Sequence, residues 1–461
     1  MTPRALILAC VLVGLAACGD PVQRHIDTIV EGDGDIEEAR LALNMAKGTA
    51  VDPLIAAFED RSLPARARVD LAESLYRLYL READGRIFAS LVAGLEDPEP
   101  RVRAGVARAL GNLRRSEAVA PLLARFEAEA DPAMKGEILA ALEFMASDWH
   151  DDWGTRVDPD LLDAAQKESF AGVLQDLIAT GPPEDLRISA REWLEVLAED
   201  LAGEAEKLFL AADAAGAEEL LRSALELVPG SLNIHQKLGR LFYANGDEER
   251  GREYLERLGM VARMPELKER PRIDGVLDEP AWRPVAPLTE FYQCIWRLTA
   301  RRAEGRSEAW IGYRSDTLFV AVKAYEPNTA NLAASETKRD GAVYADDCLE
   351  IFIDTNRDSQ SIYHFIINTL GTIRDSHYGP GRPGDSWTCP IEVGTAVADT
   401  FWVVEAAIPV AQMEGAPAAP GVEWGFNVAR VRIGNASEYG QWVPTYGNAH
   451  RPDRFGMLLF E

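Results

Sequence analysis

Several things are scarce in this chain, and each shortage narrows what it can be. The apolar run that opens it, Ala5 to Ala17, falls short of the roughly 20 residues that a bilayer-spanning helix requires. Cysteine occurs five times in 461 residues. Cys294, Cys348 and Cys389 are too widely spaced for a zinc site or a disulfide framework, although one pair could oxidise in an exported protein. Basic residues number 48 against 75 acidic ones, and the net charge of −27 repels nucleic acid and anionic lipid surfaces alike. Enzyme signatures are also wanting: there is no HExxH, no G-x-S-x-G and no phosphate loop, and the six histidines are scattered. His364 and His377 flank a loop without a carboxylate motif beside them, which is weak ground for a metal site. Glu350 and Glu405 both fall on predicted strands, but nothing in the sequence sets their separation as a glycosidase pair would need.

What is present starts at the N-terminus. Arg4 precedes the short apolar run, which reads as an export signal rather than a membrane span. The run ends Leu15-Ala16-Ala17-Cys18, which resembles the lipobox of bacterial lipoproteins. The resemblance implies that residues 1–17 are a signal peptide and that the mature chain starts at Cys18, whose sulfur carries a diacylglycerol. Gly19 is not the aspartate associated with inner-membrane retention, so the implied location is an exported, lipid-anchored protein of the outer membrane.

From about His25 to Glu199 short apolar helices recur at a period of roughly thirty-odd residues. Leu91 to Leu113, LVAGLEDPEPRVRAGVARALGNL, resembles a HEAT repeat: a helix, an Asp-Pro turn, and a second helix with Val102, Val106, Ala109 and Leu110 on its inner face. Asp97-Pro98 and Asp131-Pro132 mark equivalent turns. Such units bury their apolar faces against neighbours, so residues 18–200 are expected to form an α-solenoid. Within residues 201–262, the segments Ala224 to Gly230, Leu238 to Tyr243 and Asn245-Gly246-Asp247 resemble a tetratricopeptide repeat capping it. Arg263 to Arg272, with two prolines and mixed charge, reads as a linker.

Beyond it the pattern changes to short strands separated by Gly, Pro, Asn and Asp turns, which favours an antiparallel β-sandwich over residues 263–461. The expected fold class is therefore a multidomain α + β chain. The most informative stretch is Ala345 to Asp358, ADDCLEIFIDTNRD. It predicts a buried strand in which Leu349, Ile351 and Ile353 alternate with Cys348, Glu350 and Phe352. A carboxylate in mid-strand must meet a cation, several donors or a ligand, or lie at an open face.

Three motifs carry a further resemblance: Ile273-Asp274-Gly275-Val276-Leu277-Asp278-Glu279-Pro280-Ala281-Trp282, then Asp347 to Asp354, then Phe455 to Phe460. Together they resemble the family 9 carbohydrate-binding modules, β-sandwiches that bind sugars without cleaving them. The resemblance implies a first stacking ring at Tyr344, a second platform at or beside His450, a hydroxyl-binding carboxylate at Glu350 and an amide at Asn448. The arginine expected on the next strand is replaced by Ile366, and Asn368 matches two residues on. Read from chemistry alone, Tyr344, Trp387 and Trp442 offer flat surface for a pyranose, and Asp347, Glu350, Asn368 and Asn448 offer polar groups. Trp282 and Trp402 read as core. Asp354, Asn356 and Asp358 place oxygens at alternate positions of a turn, as a structural calcium ion would want, against the plainer alternative of a solvated turn.

The expectation is a non-catalytic envelope lipoprotein that binds a polysaccharide or envelope glycan through the sandwich and a protein partner through the solenoid. The alternative is a protein-interaction scaffold whose sandwich is structural.

Overall fold

The computed structural model describes residues 20–150, 154–157, 162–294, 300–415 and 417–461. The signal segment 1–17 and Cys18 lie outside the described residues. Backbone packing divides the chain after Leu197 into two units.

The first unit is a run of paired helices. Asp20 caps Pro21–Glu31 by accepting from the Val22 N–H at 3.0 Å, and Asp35 caps Ile36–Ala46 through Glu38 at 3.0 Å. Val51–Glu59, Ala65–Glu82, Gly85–Gly94, Pro100–Leu113, Val119–Ala128 and Pro132–Ala146 follow. Val102, Val106, Ala109 and Leu110 are all buried, as their 3.6-residue spacing predicts. Close approach is secured at Gly111, where a Cβ would stand 2.9 Å from that of Ala141.

Buried ion pairs tie successive units at their turns. Arg68 bonds Asp97, and Arg103 forks onto Glu129 at 2.8 and 2.9 Å. The second of the two turns, Asp131-Pro132, thus uses Glu129 for the inward pair, and Asp131 instead caps the next helix through Ala133 at 2.9 Å. The expected unbroken helical run is interrupted by an antiparallel hairpin of Ser147–His150 with Gly154–Val157. Ala164–Ala179, opened by a capping box of Asp163 and Gln166, and Glu184–Leu210 complete the helices that begin before Ala198.

The second unit joins three helices, Ala214–Leu227, Leu232–Ala244 and Glu248–Arg257, to a β-sandwich. Its strands are β1 Val261–Met264, β2 Tyr292–Gln293, β3 Ser307–Arg314, β4 Thr317–Tyr325, β5 Cys348–Asp354, β6 Ile362–Asn368, β7 Ile373–Tyr378, β8 Glu392–Val397, β9 Phe401–Pro409, β10 Glu423–Arg432, β11 Glu438–Gln441 and β12 Gly456–Phe460. One sheet runs β8-β9-β4-β3. The other runs β1-β12-β10-β5-β6-β7, with β11 pairing β10 and β2. Leu349, Ile351 and Ile353 of β5 point into the core between the sheets, against Phe365, Val404, Trp402, Trp424 and Phe426. Trp442 is buried there as well, which leaves it no face for a ligand, and Trp387 packs half-buried against Tyr363.

Two features of this unit depart from expectation. Residues 261–264, across the start of the expected linker, form β1, pairing parallel with β12 from Val261↔Met457 to Met264↔Phe460. Leu255, Met260, Ala262 and Met264 bury their side chains in the sandwich core. The reason is the apolar content of Met260-Val261-Ala262, which extends the sheet edge before the prolines begin.

The opening motif is a lock. The Asp274 and Gly275 N–H groups donate to Glu405 Oε2 at 3.2 and 2.8 Å, and Trp282 Nε1 donates to Oε1 at 2.9 Å. Gly275 is required there: its φ is +85°, and a Cβ would stand 2.5 Å from the Thr395 carbonyl carbon.

Candidate functional site

The alternation along β5 sends Cys348, Glu350 and Phe352 to the face of the larger sheet that points away from the core. Strand register then decides their neighbours. Glu350 pairs with Ala429 and Ile366, Phe352 with Asn427 and His364, and the next strand adds Ser376 beside His364 and Arg374 beside Ile366. The site is built on this face and on two loops that fold over it.

Glu350 is 5% exposed and meets donors. Its Oε2 accepts from His364 Nε2 at 2.9 Å and from the Tyr439 hydroxyl at 2.8 Å. Burial pushes this carboxyl up, but the bond and charge of His364, the Tyr439 bond and the charge of His450 together hold it below the usual range. Phe352 stacks on His364 at 4.3 Å with an interplanar angle of 11°. His450 Nε2 lies 3.3 Å from His364 Nδ1. His364 thus faces Glu350 through Nε2 and His450 through Nδ1, and the imidazole is held between the two. Burial and the neighbouring His364 push the His450 pKa down to about 4.

Asp347 and Asn368 are both fully buried, and the structure removes them from direct sugar contact. Asp347 Oδ2 accepts from the Ala333 and Gly434 N–H groups at 2.6 and 3.0 Å, and Oδ1 accepts from Ile433 at 3.1 Å. Asn368 donates to Asp346 at 2.9 Å and to the Glu336 carbonyl at 2.8 Å. These bonds fold residues 333–347 back over the sheet, because a segment without strand pairing must satisfy its amides through side chains. The result is that Tyr344, on the turn Val343–Ala345, is 55% exposed at the rim while Val343 is buried beneath it.

The second loop, residues 442–455, carries Asn448 and His450. Asn448 Oδ1 accepts from the His450 N–H at 2.9 Å, so it shapes the turn. Helix Leu232–Ala244 holds the far end of this loop. Gln236 donates to the Arg454 carbonyl at 2.8 Å, Arg240 donates to the Asp453 and Phe455 carbonyls, and Arg454 donates to Asn233 at 2.9 Å. The tetratricopeptide-like helices therefore position part of the site.

Sequence reasoning missed Tyr439, Arg374, Tyr378 and Asp385, and it weighed His364 only as weak ground for a metal site. Arg374 Nη2 meets Asp385 Oδ2 at 2.8 Å, and the Tyr378 hydroxyl donates to Asp385 Oδ1 at 2.6 Å. Arg374 Cζ lies 5.7 Å from the Tyr344 ring centroid, and the Tyr378 and His450 rings are 5.8 Å apart. A signal existed in Ile373 to Tyr378, where a polar residue alternates with Ile, Asp and His. It was obscured because the core-facing Asp375 and His377 are themselves polar. Asp375 is bonded by Arg339 at 2.9 Å, and His377 stacks on Tyr363 at 4.0 Å. His377 therefore points to the opposite side of the sheet from His364. Glu405, in its lock with the opening motif, shares no site with Glu350.

In the acidic turn, Asp354 Oδ1 is buried without a hydrogen-bond partner, and burial, aided by the Asp358 charge, pushes this carboxyl up to about 6. Asp358 accepts from the Gln360 and Ser361 N–H groups, both at 2.8 Å. Asn356 is exposed and bonded within the turn: its Nδ2 donates to Asp358 Oδ2 at 2.9 Å and its Oδ1 accepts from the Asp358 N–H at 3.2 Å. The chemistry of a cation site thus fits Asp354 and, beside it, Asp358, but not Asn356. Among the described residues no group of three or more His, Cys, Asp or Glu side chains is arranged to hold a metal ion.

Comparison with known proteins agrees with this division. Residues 273–461 match the model of the carbohydrate family 9 binding domain-like family. Residues 51–143 and 88–195 match HEAT repeats, and residues 208–269 match a tetratricopeptide repeat. No curated protein matches the chain. Similar solved structures include a family 9 carbohydrate binding module from Caldicellulosiruptor kristjanssonii in complex with cellotriose, at 17% identity and TM-score 0.33, covering 44% of this chain and 93% of that one. The same organism's module in complex with glucose has 17% identity and TM-score 0.33, covering 43% and 95%. Human deoxyhypusine hydroxylase is similar at 18% identity and TM-score 0.23, covering 51% and 93%. Helical segments that match HEAT and tetratricopeptide repeats are thus followed, over residues 273–461, by a β-sandwich that matches the carbohydrate family 9 binding domain-like model.

Proposed function

We propose that this protein is a non-catalytic, carbohydrate-binding lipoprotein of the cell envelope, anchored through Cys18 to the outer membrane and binding glycan on the outer face of its sandwich. The observation that carries the reading is Tyr344: a large ring, more than half exposed, held at the rim by a loop whose buried carboxylates are spent on fixing it. An exposed aromatic on a rigid support is what a pyranose C–H face requires, because little conformational freedom is lost on stacking. The matched family and the repeats are non-catalytic kinds, which favours binding over turnover. The repeats suit a protein partner. A calcium ion at Asp354 and Asp358 would be structural, satisfying the orphaned Asp354 oxygen.

The second reading is a scaffold whose sandwich is structural, and one observation favours it: Glu350, Asp347 and Asn368 are all committed to internal bonds. A glycan array probed with the full chain, beside a pull-down with the same protein, separates the two. Retention on any glycan supports the first reading. An empty array with a captured protein partner supports the second.

A further inference from the structure

Resting on the lipid-anchor reading, we propose that one end of the first helical unit lies against the bilayer, with Leu41, Met45 and Leu80 entering the headgroup region and Lys47 and Arg81 on its phosphates. The unit then stands on the membrane in one orientation instead of swinging from its anchor. The argument starts from where apolar surface is open. Among the described residues of the first unit, the exposed large apolar side chains are Leu41 at 61%, Met45 and Leu80 at 59% each, Phe144 at 45% and Ile188 at 41%. Such residues scattered singly are ordinary, but the three most exposed here belong to one place.

Helices Pro21–Glu31 and Ile36–Ala46 have 11 residues each and form a hairpin, so the second returns to the level at which the first began. Ala65–Glu82 runs beside the second in the same direction. At one end a Cβ on Gly32 would collide with the Arg66 guanidinium, and at the other a Cβ on Gly48 would stand 3.7 Å from Glu82 Oε2. Arg81 Nη1 rests 3.2 Å from Met45 Sδ at that second end. Leu41 and Met45 share a face of their helix, four positions apart, and Leu80 lies in the last turn of the longer one. Towards the Gly32 end the same faces turn charged and paired: Arg77 donates to Glu37 at 2.8 Å and to Glu73 at 2.9 Å.

The chain itself says what covers the apolar end. Asp20 caps the first helix at the level of Ala46, and Cys18 comes two residues earlier. Two residues reach at most about 7 Å, less than one helix diameter, so a lipid on Cys18 draws this end of the unit onto the membrane. Charge agrees. Lys47 and Arg81 are exposed, and among the described residues neither is ion-paired. The carboxylates nearby are occupied or withdrawn: Asp20 and Asp84 accept from the Val22 and Arg86 N–H groups at 3.0 and 2.9 Å, and Glu82 is half-buried. The net charge of −27 repels an anionic surface from the chain as a whole, but a screening length of about 8 Å leaves the contact to the nearest charges. Free cations beside apolar side chains are the pattern of an interfacial face.

The test uses the full lipidated chain in vesicles of phosphatidylethanolamine and phosphatidylglycerol. Cys348 and Cys389 are buried, Cys294→Ser removes the remaining thiol, and a nitroxide is attached at Met45→Cys or, at the far end of the hairpin, at Asp33→Cys. The label at position 45 is expected to collide more with dissolved oxygen than with a water-soluble nickel chelate, as a group roughly 5–10 Å into the headgroup and acyl boundary does, and the label at position 33 the reverse. Leu41→Glu combined with Leu80→Glu should return the first label to water without moving the melting temperature, because both side chains are exposed. A label at position 45 that favours the chelate in the lipidated protein, or one that the double variant does not move, overturns the inference and leaves the anchor reading standing. A label already shielded in vesicle-free Cys18→Ser protein, and more so at higher concentration, shows a second copy on this face and overturns it as well. A mature N-terminus whose mass carries no acyl chains at Cys18 overturns the anchor reading and the inference with it.

Discussion

His364 Nε2 lies 2.9 Å from Glu350 Oε2, and this bond makes the mid-strand carboxylate a part of the fold. Removing its charge while keeping its shape, Glu350→Gln, should cost about 1–3 kcal/mol of stability, since a buried charge-assisted bond is exchanged for a neutral one. A denaturant titration checks this. An unchanged midpoint would mean that the carboxylate is not engaged.

The same cluster sets a pH dependence. Glu350 is held below its ordinary value of 4.5, so the stability it contributes is present above that value and lost as pH falls through the lower folded one. His450 is pushed from 6.5 down to about 4, so the unfolded chain takes up its proton first, and stability is lost as pH falls through that window. Both act in one direction: the melting temperature should fall on acidification from about pH 6.5 to 4. Water at the exposed part of His450 reduces the size of its share. His450→Gln should flatten the upper part of the profile, and an unaltered slope there would remove His450 from the cluster.

Asp354 has the opposite sign. Its pKa is raised from 3.8 to about 6, so without calcium its contribution to stability is unfavourable at neutral pH and recovers as pH falls. Asp354→Asn should therefore raise the melting temperature in chelator, and it should abolish the rise that calcium gives wild type by mass action. Equal melting of wild type with calcium and with chelator contradicts the calcium proposal.

Fold and site were legible to different depths. The HEAT-like spacing of Val102, Val106, Ala109 and Leu110, the alternation of Leu349, Ile351 and Ile353, and the position of Tyr344 could be read because each rests on local periodicity or on a motif. The bond from Glu350 to His364 could not, because it depends on the register of β5 against β6, which no local pattern encodes. Asp347 and Asn368 look like ligand-binding groups in a sequence because buried and exposed polar residues are spelled alike. Arg263 and Met264, the second half of β1, read as linker because prolines follow them closely.

That last difference has a consequence. A fragment of residues 198–461 should fold alone, with helix and strand both visible by circular dichroism. A fragment starting at Pro271 loses β1 and the side chains of Leu255, Met260 and Met264 from its core, and it also loses the helix that bonds the His450 loop. It should melt lower or aggregate. Equal stability of the two fragments would show the helices to be dispensable.

For anchoring, Cys18→Ser should move the protein from the membrane to the soluble or uncleaved-precursor fraction, since each buried methylene of a lipid chain contributes about 0.8 kcal/mol. Labelled palmitate on the mutant would count against the lipid anchor.

The most direct measurement is a titration of wild type and Tyr344→Ala with the tightest binder found on the array, carried to millimolar concentration and paired with thermal melts. Loss of the ring should cost about 1–3 kcal/mol of binding and leave the melting temperature in place, because the side chain stands at the rim. Equal affinity of the two proteins for that glycan would contradict the account.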